Sequence, residues 1–478
     1  MAVGSSNSFD LIVLGGGTGG YSAAFRAGQL GLKVALVDEQ PRLGGTCLMW
    51  GCIPTKAMLE SAELYERMHK SAEFGIPVEG TMRFDYPTVA KRRDGIVDRL
   101  TKGLDGLAKK NKVEVIRGRG TLQGGKKVLV KTLDADGKPD GERPLDATDV
   151  ILATGSRVKS LPGLNPDGQR IITSDEATHS DKLPASIIVV GAGAVGVEFA
   201  SFYHDAGVDV TLLEYLPRVT PLEDAEVSKD LERSFRRRNL KTITSARFDP
   251  ASVTADESGI CLMVGKEGEE PKELRAEQML VATGRAPNSD NVGLESTRAK
   301  VEKGFVQVDG RMRTAEPHLY AIGDVIGGLL LAHVAAHEGI AAVHAIAGAE
   351  AETVDYLKMP RATYSRPQIA SIGRTQDECE RDGLAVKIGK FPFQADGKAL
   401  IRGEYEGFVK VIADAKTDEV LGVHMIGGNV TDLISEASLG MILETTAWEI
   451  GSAVHPHPTL AEALGEAALA VDGKSINF

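Results

Sequence analysis

Cysteine is rare in this sequence, with 4 residues among 478. So few cysteines exclude a scaffold that is held together by disulfides. The first residues, MAVGSSNSFD, also lack the basic and apolar regions of a secretory signal. We therefore expect the protein to work in the reducing cytoplasm, where a persisting disulfide is more often redox-active than structural.

Long apolar runs and an excess of positive charge are missing as well. No apolar run reaches the roughly 18 residues that a membrane-spanning helix needs. The net charge of −12 argues against binding to nucleic acid or to anionic membranes, and we expect neither partner. Hydrophobic residues make up 42% of the chain and charged residues 26%, as in globular proteins. The length predicts about two to four domains.

Glycine, by contrast, is frequent, and one cluster of it follows a short apolar β run at residues 9–14. The cluster GGGTGG leads into the helical segment YSAAFRAGQLG and then into a strand that ends at Asp38. This order is typical of a dinucleotide-binding fingerprint, and a glycine-rich loop without a ligand is the alternative. In the fingerprint Gly15 makes the turn, Gly17 lets the pyrophosphate approach and Gly20 lets the helix pack closely. The N-terminus of the helix would present amides and its positive dipole end to the phosphates.

The same pattern recurs later in the chain. The strand SIIVV leads to Gly191, Gly193 and Gly196, a helix follows, and the next strand ends at Glu214. Two fingerprints indicate two dinucleotides, or one duplicated fold with an inactive second site. Glu214 favours NAD, since the 2′-phosphate of NADP would meet like charge. The nearby Arg218 is the residue that would favour a phosphate instead.

Two related segments, VILATGSR and MLVATGRAP, follow the fingerprints. Each is an apolar strand that ends in a turn of small residues, as expected where a returning strand packs under a nucleotide. Thr154, Gly155 and Gly284 are therefore candidate binding residues, with an ordinary strand-end turn as the alternative. In the later segment YAIGDV, Asp324 follows another strand and would either bind a sugar hydroxyl or cap a helix.

The stretch GGTCLMWGCIPTK places Cys47 and Cys52 five positions apart. If both lie at the start of one helix, they are offset by about 140° and by about 7.5 Å along its axis. A disulfide needs Cα atoms roughly 4.4–6.8 Å apart, so it would distort that turn, and Gly51 would tolerate the distortion. Such a strained bond opens easily, which favours a two-electron store. Two inert thiols, or a zinc site that includes His455 and His457, are the alternatives, and we expect no metal.

The late segment HPHPTLAE contains the candidate base. Thiol–disulfide exchange with a dithiol requires a base that works near neutral pH, and histidine suits that need. We predict His457 as the base, with His455 as the weaker candidate. Glu462 forms the pattern of a helix capping box with Thr459, which gives this acid a purely structural interpretation.

With these motifs in view, the chain resembles the flavoprotein disulfide reductases, the pyridine nucleotide-disulfide oxidoreductase family. The resemblance runs from Phe9 to about Glu466, and GGTCLMWGCIPTK, GAGAVGVE, YAIGDV and HPHPTLAE carry it most specifically. It implies an α/β fold with two Rossmann-like dinucleotide-binding domains, for FAD and for NAD, and a C-terminal α+β dimerisation domain. The implied domains are an FAD domain with the redox disulfide at 1–157, an NAD domain at 158–285, a central segment that completes the FAD site at 286–355, and an interface domain at 356–478.

The resemblance also implies the binding residues of both cofactors. Asp38 would bind the adenosine ribose of FAD, and Asp324 would lie near its ribityl and pyrophosphate groups. Glu214 would bind the ribose of NAD, and Glu198 would lie near the nicotinamide. The full set implied for FAD is Gly15, Gly17, Gly20, Asp38, Gly45, Thr46, Lys56, Gly118, Thr154, Gly155, Asp324 and Ala332. The set implied for NAD is Gly191, Gly193, Gly196, Glu198, Glu214 and Gly284.

The implied catalytic residues divide the chemistry between two chains. The resemblance makes Cys52 the thiolate that contacts the flavin and Cys47 the thiol that exchanges with substrate. It places Lys56 by the flavin, paired with Glu198. It has Glu462 orient His457, and the partner chain of a homodimer supplies this histidine, so that each active site is shared between two chains.

The implied reaction is oxidation of a protein-bound dihydrolipoyl group with reduction of NAD⁺. The implied partner is the lipoyl domain of a 2-oxo acid dehydrogenase or related complex. The alternatives are a related reductase of another disulfide or dithiol substrate, and a redox sensor or assembly subunit that binds FAD and NAD without turnover. Five positions depart from the family pattern and leave the substrate open: Met49, Trp50, Gln368, Thr431 and Asp432.

Overall fold

The computed structural model of the chain describes residues 7–349 and 353–478. The chain divides into two compact units. The first consists of Met1–Ala57, Ala90–Lys159 and Arg285–Val354, and the second of Met58–Val89, Ser160–Gly284 and Asp355–Phe478. Residues 58–89, which we predicted as part of the first domain, cluster with the second unit.

The elements follow in chain order. The helices are α1 (Thr18–Gln29), α2 (Gly45–Met49), α3 (Cys52–His69), α4 (Tyr86–Lys110), α5 (Ser174–His179), α6 (Ala194–Asp205), α7 (Ala225–Arg237), α8 (Ala332–Ile346), α9 (Gln376–Arg381), α10 (Gly397–Arg402), α11 (Val430–Ile442), α12 (Ala447–Ser452) and α13 (Glu462–Ala470). The strands are β1 (Ser8–Leu14), β2 (Val34–Asp38), β3 (Glu114–Leu122), β4 (Lys127–Leu133), β5 (Pro139–Leu152), β6 (Ser156–Val158), β7 (Ile171–Thr173), β8 (Ser186–Val190), β9 (Asp209–Leu213), β10 (Lys241–Ile243), β11 (Thr254–Asp256), β12 (Gly259–Val264), β13 (Lys272–Ala276), β14 (Gln278–Val281), β15 (Arg285–Pro287), β16 (Val301–Glu302), β17 (Phe305–Val306), β18 (Leu319–Ala321), β19 (Arg361–Thr363), β20 (Gln368–Gly373), β21 (Val386–Pro392), β22 (Phe408–Asp414) and β23 (Val420–Gly427). Of the helices in the described ranges, none combines the length and the apolar character that a bilayer crossing requires.

The first unit is built on a parallel sheet in the order β3–β2–β1–β5–β18. The strand β4 pairs antiparallel with the end of β3 and the start of β5. Side chains alternate between the two faces of the sheet. In β1, Leu11 and Val13 join a core with the alanines of α1 and α8, whereas Ile12 and Leu14 join the core on the opposite face. Burial on both faces explains why β1 is apolar almost throughout.

The second unit contains another parallel sheet, in the order β10–β9–β8–β14–β7. Aromatic residues of α6, Phe199 and Tyr203 among them, fill the core on one of its faces. The three-stranded antiparallel sheet β11–β12–β13 contributes to the core on the other face. Two parallel sheets that each carry a glycine fingerprint agree with the predicted pair of Rossmann-like domains.

The C-terminal part of the second unit is an antiparallel sheet in the order β19–β20–β23–β22–β21. Its residues Val409 and Val411 join a core with residues of α11 and α13. The intervening Lys410 is buried and binds Asp224, at 3.1 Å, at the start of α7. This part is the α+β arrangement that we predicted for the C-terminal domain.

Candidate active site

The first glycine turn connects β1 to α1. Gly15 has φ +112°, and its amide donates to Val37 O at 2.8 Å. A Cβ atom on Gly15 would lie 2.2 Å from Ala153 O, and one on Gly20 would lie 1.8 Å from Gly15 O. Since such contacts exclude any side chain, these two positions require glycine, and the close packing brings the N-terminus of α1 against the sheet.

The start of α1 suits an anionic group. Gly17 is the cap of this helix, and in the described part of the chain no side chain accepts a hydrogen bond at that cap. The amides of the first turn are thus available to a phosphate, which the helix dipole also favours. A Cβ atom on Gly155 would meet nothing within 4 Å. These features fit the pyrophosphate of FAD.

Asp38 ends β2 beside the glycine turn, as predicted. Its carboxylate accepts hydrogen bonds from the amide of Gly16 and, at 2.7 Å, from that of Gln40. Burial raises the pKa of Asp38, although both amides act in the opposite direction. A carboxylate can accept about four hydrogen bonds, so these two amides hold Asp38 in place and leave capacity for ribose hydroxyls.

The segment before the cysteines lies on the first glycine turn. The amide of Gly44 donates to Gly16 O at 2.9 Å, and Gly44 forms a parallel bridge with Gly17. A Cβ atom on Gly45 would lie 2.5 Å from Gly17 Cα. Gly45, which the family resemblance singled out, therefore joins the segment that carries Cys47 to the predicted FAD turn.

Cys47 lies in α2, and Cys52 is the first residue of α3, so the two cysteines do not share one helix. The helical conformation is interrupted between them at Trp50 and Gly51, and a Cβ atom on Gly51 would lie 2.9 Å from Thr46 O. Both residues are thiols in this structure. The pKa of Cys47 is raised because its thiol is hydrogen-bonded to Cys52 and is buried, whereas the Thr18 hydroxyl and the charge of Lys56 act in the opposite direction.

Lys56 is thus close enough to the cysteine pair to act on it electrostatically, as its place one turn after Cys52 predicts. Thr18 and Tyr21 of α1 also belong to this site, and we did not predict them. Burial raises the pKa of Tyr21, the Thr18 hydroxyl opposes this change, and both cysteines add to it. These two residues lie within the first fingerprint, but no sequence pattern distinguishes them from ordinary helix residues.

A polar network holds Asp324 in the first unit. Ser156 donates to Asp324, and Arg285 Nε lies 3.7 Å from the Asp324 carboxylate. Arg285 also donates to Ser156 Oγ at 2.6 Å and to Thr46 Oγ1 at 3.4 Å. The network brings together the predicted residues Asp324 and Thr46. It adds Arg285 and Ser156, which stand in quoted motifs but have no pattern that names their partners.

Thr154 and Gly155 are held by a residue that we did not predict, Asn288. Thr154 Oγ1 donates to the backbone carbonyl of Asn288 at 2.7 Å, and the backbone amide of Asn288 donates to Gly155 O at 2.9 Å.

Near Asp324, the buried Glu338 accepts from the amide of Gly323 at 2.6 Å. Glu338 belongs to α8, which begins at the predicted residue Ala332.

Gly118 has a structural reason to be glycine. A Cβ atom there would lie 2.4 Å from Lys131 O on the paired strand β4. Strand pairing alone therefore accounts for this residue, and its place among the predicted FAD residues rests on the family resemblance.

The second glycine turn repeats the geometry of the first. A Cβ atom on Gly196 would lie 1.7 Å from Gly191 O, and Gly193 caps α6 with nothing within 4 Å of its Cβ position. The carboxylate of Glu214 accepts from the amides of Ala192 and Leu216, at 2.7 Å each. These features fit a second dinucleotide, since the acid lies next to the turn and no side chain of the described residues makes a cap hydrogen bond at this helix N-terminus.

Arg218, the residue that would favour NADP, is bound elsewhere. It donates to Asp377 at 3.2 Å and to Pro221 O at 3.3 Å. This pairing favours the NAD interpretation.

The buried Glu198 accepts from the amide of Tyr364 at 2.9 Å. Gly284 has φ +111° and open space at its Cβ position.

Glu462 contacts His457 but forms only half of the expected capping box, because the Thr459 hydroxyl donates to Pro456 O and α13 begins at Glu462 itself. One of its oxygens lies 2.9 Å from His457 Nδ1, and the other accepts from the amide of Thr459 at 2.8 Å. Burial opposes ionisation, but the hydrogen bonds from Thr459 and His457 outweigh it and lower the pKa of Glu462. His455 is turned to Glu436 instead, at 2.8 Å.

Two of the departures from the family pattern form one contact. Thr431 Oγ1 donates to Gln368 Oε1 at 2.7 Å, which joins α11 to the start of β20.

In the described residues, no group of three histidine, cysteine, aspartate or glutamate side chains could hold a metal ion.

Comparison with known proteins gives the assignment. The family model described as pyridine nucleotide-disulphide oxidoreductase matches residues 9–339, and the model of its dimerisation domain matches residues 359–468. The chain belongs to this family. Membership confirms the predicted fold class, the oxidoreductase class and the cofactors FAD and NAD, and the dimerisation domain supports the predicted homodimer.

Relatives of the family are similar over the whole chain. A dihydrolipoyl dehydrogenase of Bacillus subtilis is 48% identical, with 99% of this chain and 100% of the relative covered. One of Zymomonas mobilis is 43% identical, also with 99% of this chain and 100% of the relative covered. Among solved structures, LpdA from Mycobacterium tuberculosis is 27% identical with a TM-score of 0.87, over 97% of this chain and 99% of that one.

Proposed function

We propose that this protein is a dihydrolipoyl dehydrogenase, which oxidises a protein-bound dihydrolipoyl group and reduces NAD⁺. The observation that carries the proposal is the hydrogen-bonded pair of Cys47 and Cys52, in a segment joined to the first glycine turn and close to the charge of Lys56. Full-length relatives that bear the name of this enzyme support the choice of substrate.

The chain's own residues would bind the two dinucleotides. The N-terminus of α1 would take the pyrophosphate of FAD, Asp38 its ribose, and the network of Arg285, Ser156 and Asp324 its more distant polar groups. When bound, FAD accepts an electron pair from the cysteines and supplies it to NAD⁺. The second glycine turn and Glu214 would hold NAD, with Glu198 near the nicotinamide.

The cysteines would act as a disulfide in the oxidised enzyme. A substrate thiolate attacks the sulfur of Cys47, the bond between Cys47 and Cys52 breaks, and Cys52 leaves as the thiolate. The second substrate thiolate then displaces Cys47, so the substrate leaves as a cyclic disulfide and both enzyme sulfurs are reduced. Lys56 would stabilise the negative charge on the pair.

His457 would be the base for this exchange. Its Nδ1 faces the carboxylate of Glu462, which fixes the proton on that nitrogen. Nε2 is then the nitrogen that accepts the proton from the substrate thiol. We propose that the partner chain of the homodimer supplies this histidine, so that each active site needs two chains.

We extend the proposal to partner, location and domains. The substrate would be carried by the lipoyl domain of a 2-oxo acid dehydrogenase or related complex, and the protein would act in the cytoplasm. The four predicted segments, with the central one at 286–355 completing the FAD site, remain part of this proposal.

The test is a steady-state assay of dihydrolipoamide oxidation with NAD⁺ and with NADP⁺. We expect turnover with NAD⁺, and Cys47→Ser should lower it at least about a thousandfold while FAD stays bound. Cys261→Ser is the matched control, since Cys261 belongs to β12 of the second unit. Turnover that survives in Cys47→Ser contradicts the mechanism, and bound FAD without turnover with either nucleotide favours the redox sensor.

An absorption spectrum separates the roles of the two sulfurs. During anaerobic two-electron reduction, contact between the Cys52 thiolate and the flavin should produce a band at long wavelength. The same band should be absent from Cys52→Ser. A wild-type spectrum that passes directly to fully reduced flavin would show that the pair does not exchange electrons with it.

A further inference from the structure

One face of the C-terminal sheet carries a row of polar side chains. The polar row consists of residues that pair across the adjacent strands β19, β20, β23 and β22, namely Arg361, Ser371, His424 and Lys410. Residues paired in this way project from the same face of a sheet. The last three members are fully buried. The neighbouring pair on this face, Ile369 and Ile426, belongs to the apolar core, so the polar row interrupts that core.

Two buried acids before α7 bind the polar row. Lys410 Nζ donates to both carboxylate oxygens of Asp224, at 3.1 Å each. Ser371 Oγ donates to the carboxylate of Glu223 at 2.6 Å. Arg361 Nε lies 3.7 Å from the same carboxylate. The two cations of the polar row are thus paired with the two acids, and these contacts join the C-terminal sheet to the start of α7.

Stability alone does not explain a buried ion pair at this place. Desolvation of two charges costs about as much as their attraction returns, and apolar residues of similar size often stabilise a core as well or better. Asp224 also caps α7, since it accepts from the amide of Glu226 at 3.0 Å. Asparagine would cap the helix about as well without a charge. What the charged contacts add is one defined position for the segment that carries the two acids.

That segment contacts the second glycine turn. The amide of Glu223 donates to Thr220 O at 2.9 Å, and the amide of Thr220 donates to Ala192 O at 2.8 Å. Ala192 precedes Gly193 in the fingerprint, and its own amide donates to Glu214 at 2.7 Å. The carbonyl of Ala192 is therefore held by the segment that the polar row fixes, and its amide by the acid beside the turn.

Thr220 depends on its surroundings for its conformation. Its φ is +42°, which is unfavourable for a β-branched residue and persists only where the neighbouring structure enforces it. Ser228 Oγ of α7 donates to Thr220 O at 3.1 Å, so the first turn of this helix adds to the support. A shift of α7 or of the acids before it would therefore move the amide that holds Ala192.

We propose that Lys410 and Ser371 are positioning residues for the dinucleotide at the second glycine turn. They act through the two acids before α7, which fix the segment that holds Ala192 and thereby set where the turn meets the pyrophosphate. Residues of the dimerisation domain would thus shape the NAD site of their own chain. The inference rests on the proposed function, in which this turn binds NAD.

Calorimetric titration of the FAD-loaded enzyme with ADP-ribose tests the proposal. This probe contains the pyrophosphate and the adenosine of NAD but undergoes no hydride transfer. We expect its Kd to rise about threefold in Ser371→Ala and about tenfold in Lys410→Met, as residues remote from a ligand can cause through a packed network. A Kd equal to that of wild type in Ser371→Ala overturns the proposal, and this milder variant decides the question if Lys410→Met does not fold.

Ser234→Ala is the matched control. Ser234 is buried on α7, and its hydroxyl donates to Glu406 at 2.9 Å. The control therefore also removes a bond from a buried serine to a glutamate between α7 and the C-terminal part, about three turns along the helix from Asp224. We expect its Kd for ADP-ribose to equal that of wild type. An equal rise in Ser234→Ala and Ser371→Ala would indicate a general loss of packing and would overturn the proposal.

Kinetics separate positioning from a wider defect. In Ser371→Ala the KM for NAD⁺ should rise, while kcat at saturating NAD⁺ stays near its wild-type value. Stopped-flow reduction of the flavin by dihydrolipoamide should be unaltered, since this half-reaction does not use the second turn. A comparable loss in that half-reaction would contradict a role confined to the NAD site. If ADP-ribose does not bind even to wild type, the assignment of the second turn to NAD fails, whereas binding that the variants leave unaltered refutes only the positioning role.

Discussion

The two glycine turns of this protein are built alike at their bases. A Cβ atom added to the third fingerprint glycine of either turn would lie under 2 Å from a carbonyl oxygen of that turn, at 1.8 Å for Gly20 and 1.7 Å for Gly196. In each, the acid at the end of the second strand, Asp38 or Glu214, accepts two backbone hydrogen bonds. The shared geometry is what backbone contact with a pyrophosphate requires.

They differ at the middle glycine. Gly17 is paired with Gly44, whereas Gly193 has open space around its Cβ position. One turn is covered by the segment that carries the cysteines, whereas in the described part of the chain nothing lies within 4 Å of the Cβ position of Gly193 in the other. The same motif can therefore serve a cofactor that stays bound and a cosubstrate that enters and leaves, depending on what packs over its second glycine.

The largest effects are expected from placing a side chain at the third fingerprint glycine of each turn, because this change tests directly whether the two turns have separate roles. Gly20→Val should abolish flavin binding and lower the yield of folded protein, because the side chain would displace α1 from the sheet. Gly196→Val should keep the flavin and lower NAD⁺ reduction at least about a hundredfold. Flavin absorbance per chain and the NADH-forming rate measure the two effects, and loss of flavin from Gly196→Val would refute the separate roles.

A smaller change sharpens the difference at the middle glycine. In Gly193→Ala the protein leaves room for the methyl group, so any effect reports the ligand. We expect the KM for NAD⁺ to rise roughly tenfold while the melting temperature stays unchanged. Gly95→Ala, which adds a methyl group in open space on α4, is the control and should leave KM unaltered. An unaltered KM in Gly193→Ala as well would place the dinucleotide elsewhere.

The acids beside the turns should set nucleotide preference more weakly. Glu214→Gln removes the charge that repels a 2′-phosphate, and the ratio of kcat/KM for NAD⁺ to that for NADP⁺ should fall roughly tenfold. Adding Asp377→Asn frees Arg218 and should lower the ratio further. Asp38→Asn is the matched change at the first turn, and it should leave this ratio as it is.

The smallest expected effect is a response of the second turn to acid. The amide of Thr220 donates to Ala192 O at 2.8 Å, and Asp224, four residues later, lies beside the buried His424. Burial lowers the pKa of His424, although Asp224, the carbonyl of Arg374 and Glu223 act in the opposite direction and Arg361 adds to the decrease. Burial therefore favours the neutral form of His424 in the folded protein, and its Nε2 lies 2.8 Å from Arg374 O.

Because the pKa of His424 is lower in the folded protein than its unfolded value of about 6.5, acid destabilises the folded protein. The contribution of neutral His424 to the free energy of unfolding is complete above about pH 6.5. It is lost as the pH falls towards the pKa of His424 in the folded protein. Between pH 7.5 and 5.5 the free energy of unfolding of the second unit should decrease, and NAD binding should weaken before flavin is released. In His424→Gln this part of the pH dependence should flatten, and a slope equal to that of wild type would contradict the assignment.

The sequence predicted best what is local. Gly15, Gly20 and Asp38 are specified by one strand–turn–helix–strand unit, so their spacing alone indicates their geometry. The two cysteines were recognisable for the same reason, although the break at Gly51 places them in two helices and not in one. The residues that close the sites from a distance could not be predicted, because only the fold brings Arg285 to Thr46.

Glu462 shows a different reason for incomplete prediction. The sequence leaves capping and orientation of His457 as rival roles for this acid. In the structure one carboxylate oxygen contacts His457 and the other accepts from the backbone amide of Thr459, without the reciprocal bond of a capping box.

The bridge between Gly17 and Gly44 has a practical consequence for handling the protein. Because this bridge joins the cysteine segment to the turn that we propose for FAD, loss of FAD would leave that turn, and with it the redox sulfurs, less restrained. Old or partly depleted preparations should then contain cysteines that react with alkylating reagents at rates unrelated to the intact enzyme. Thiol counts are therefore meaningful only when they are reported beside the flavin content of the same sample.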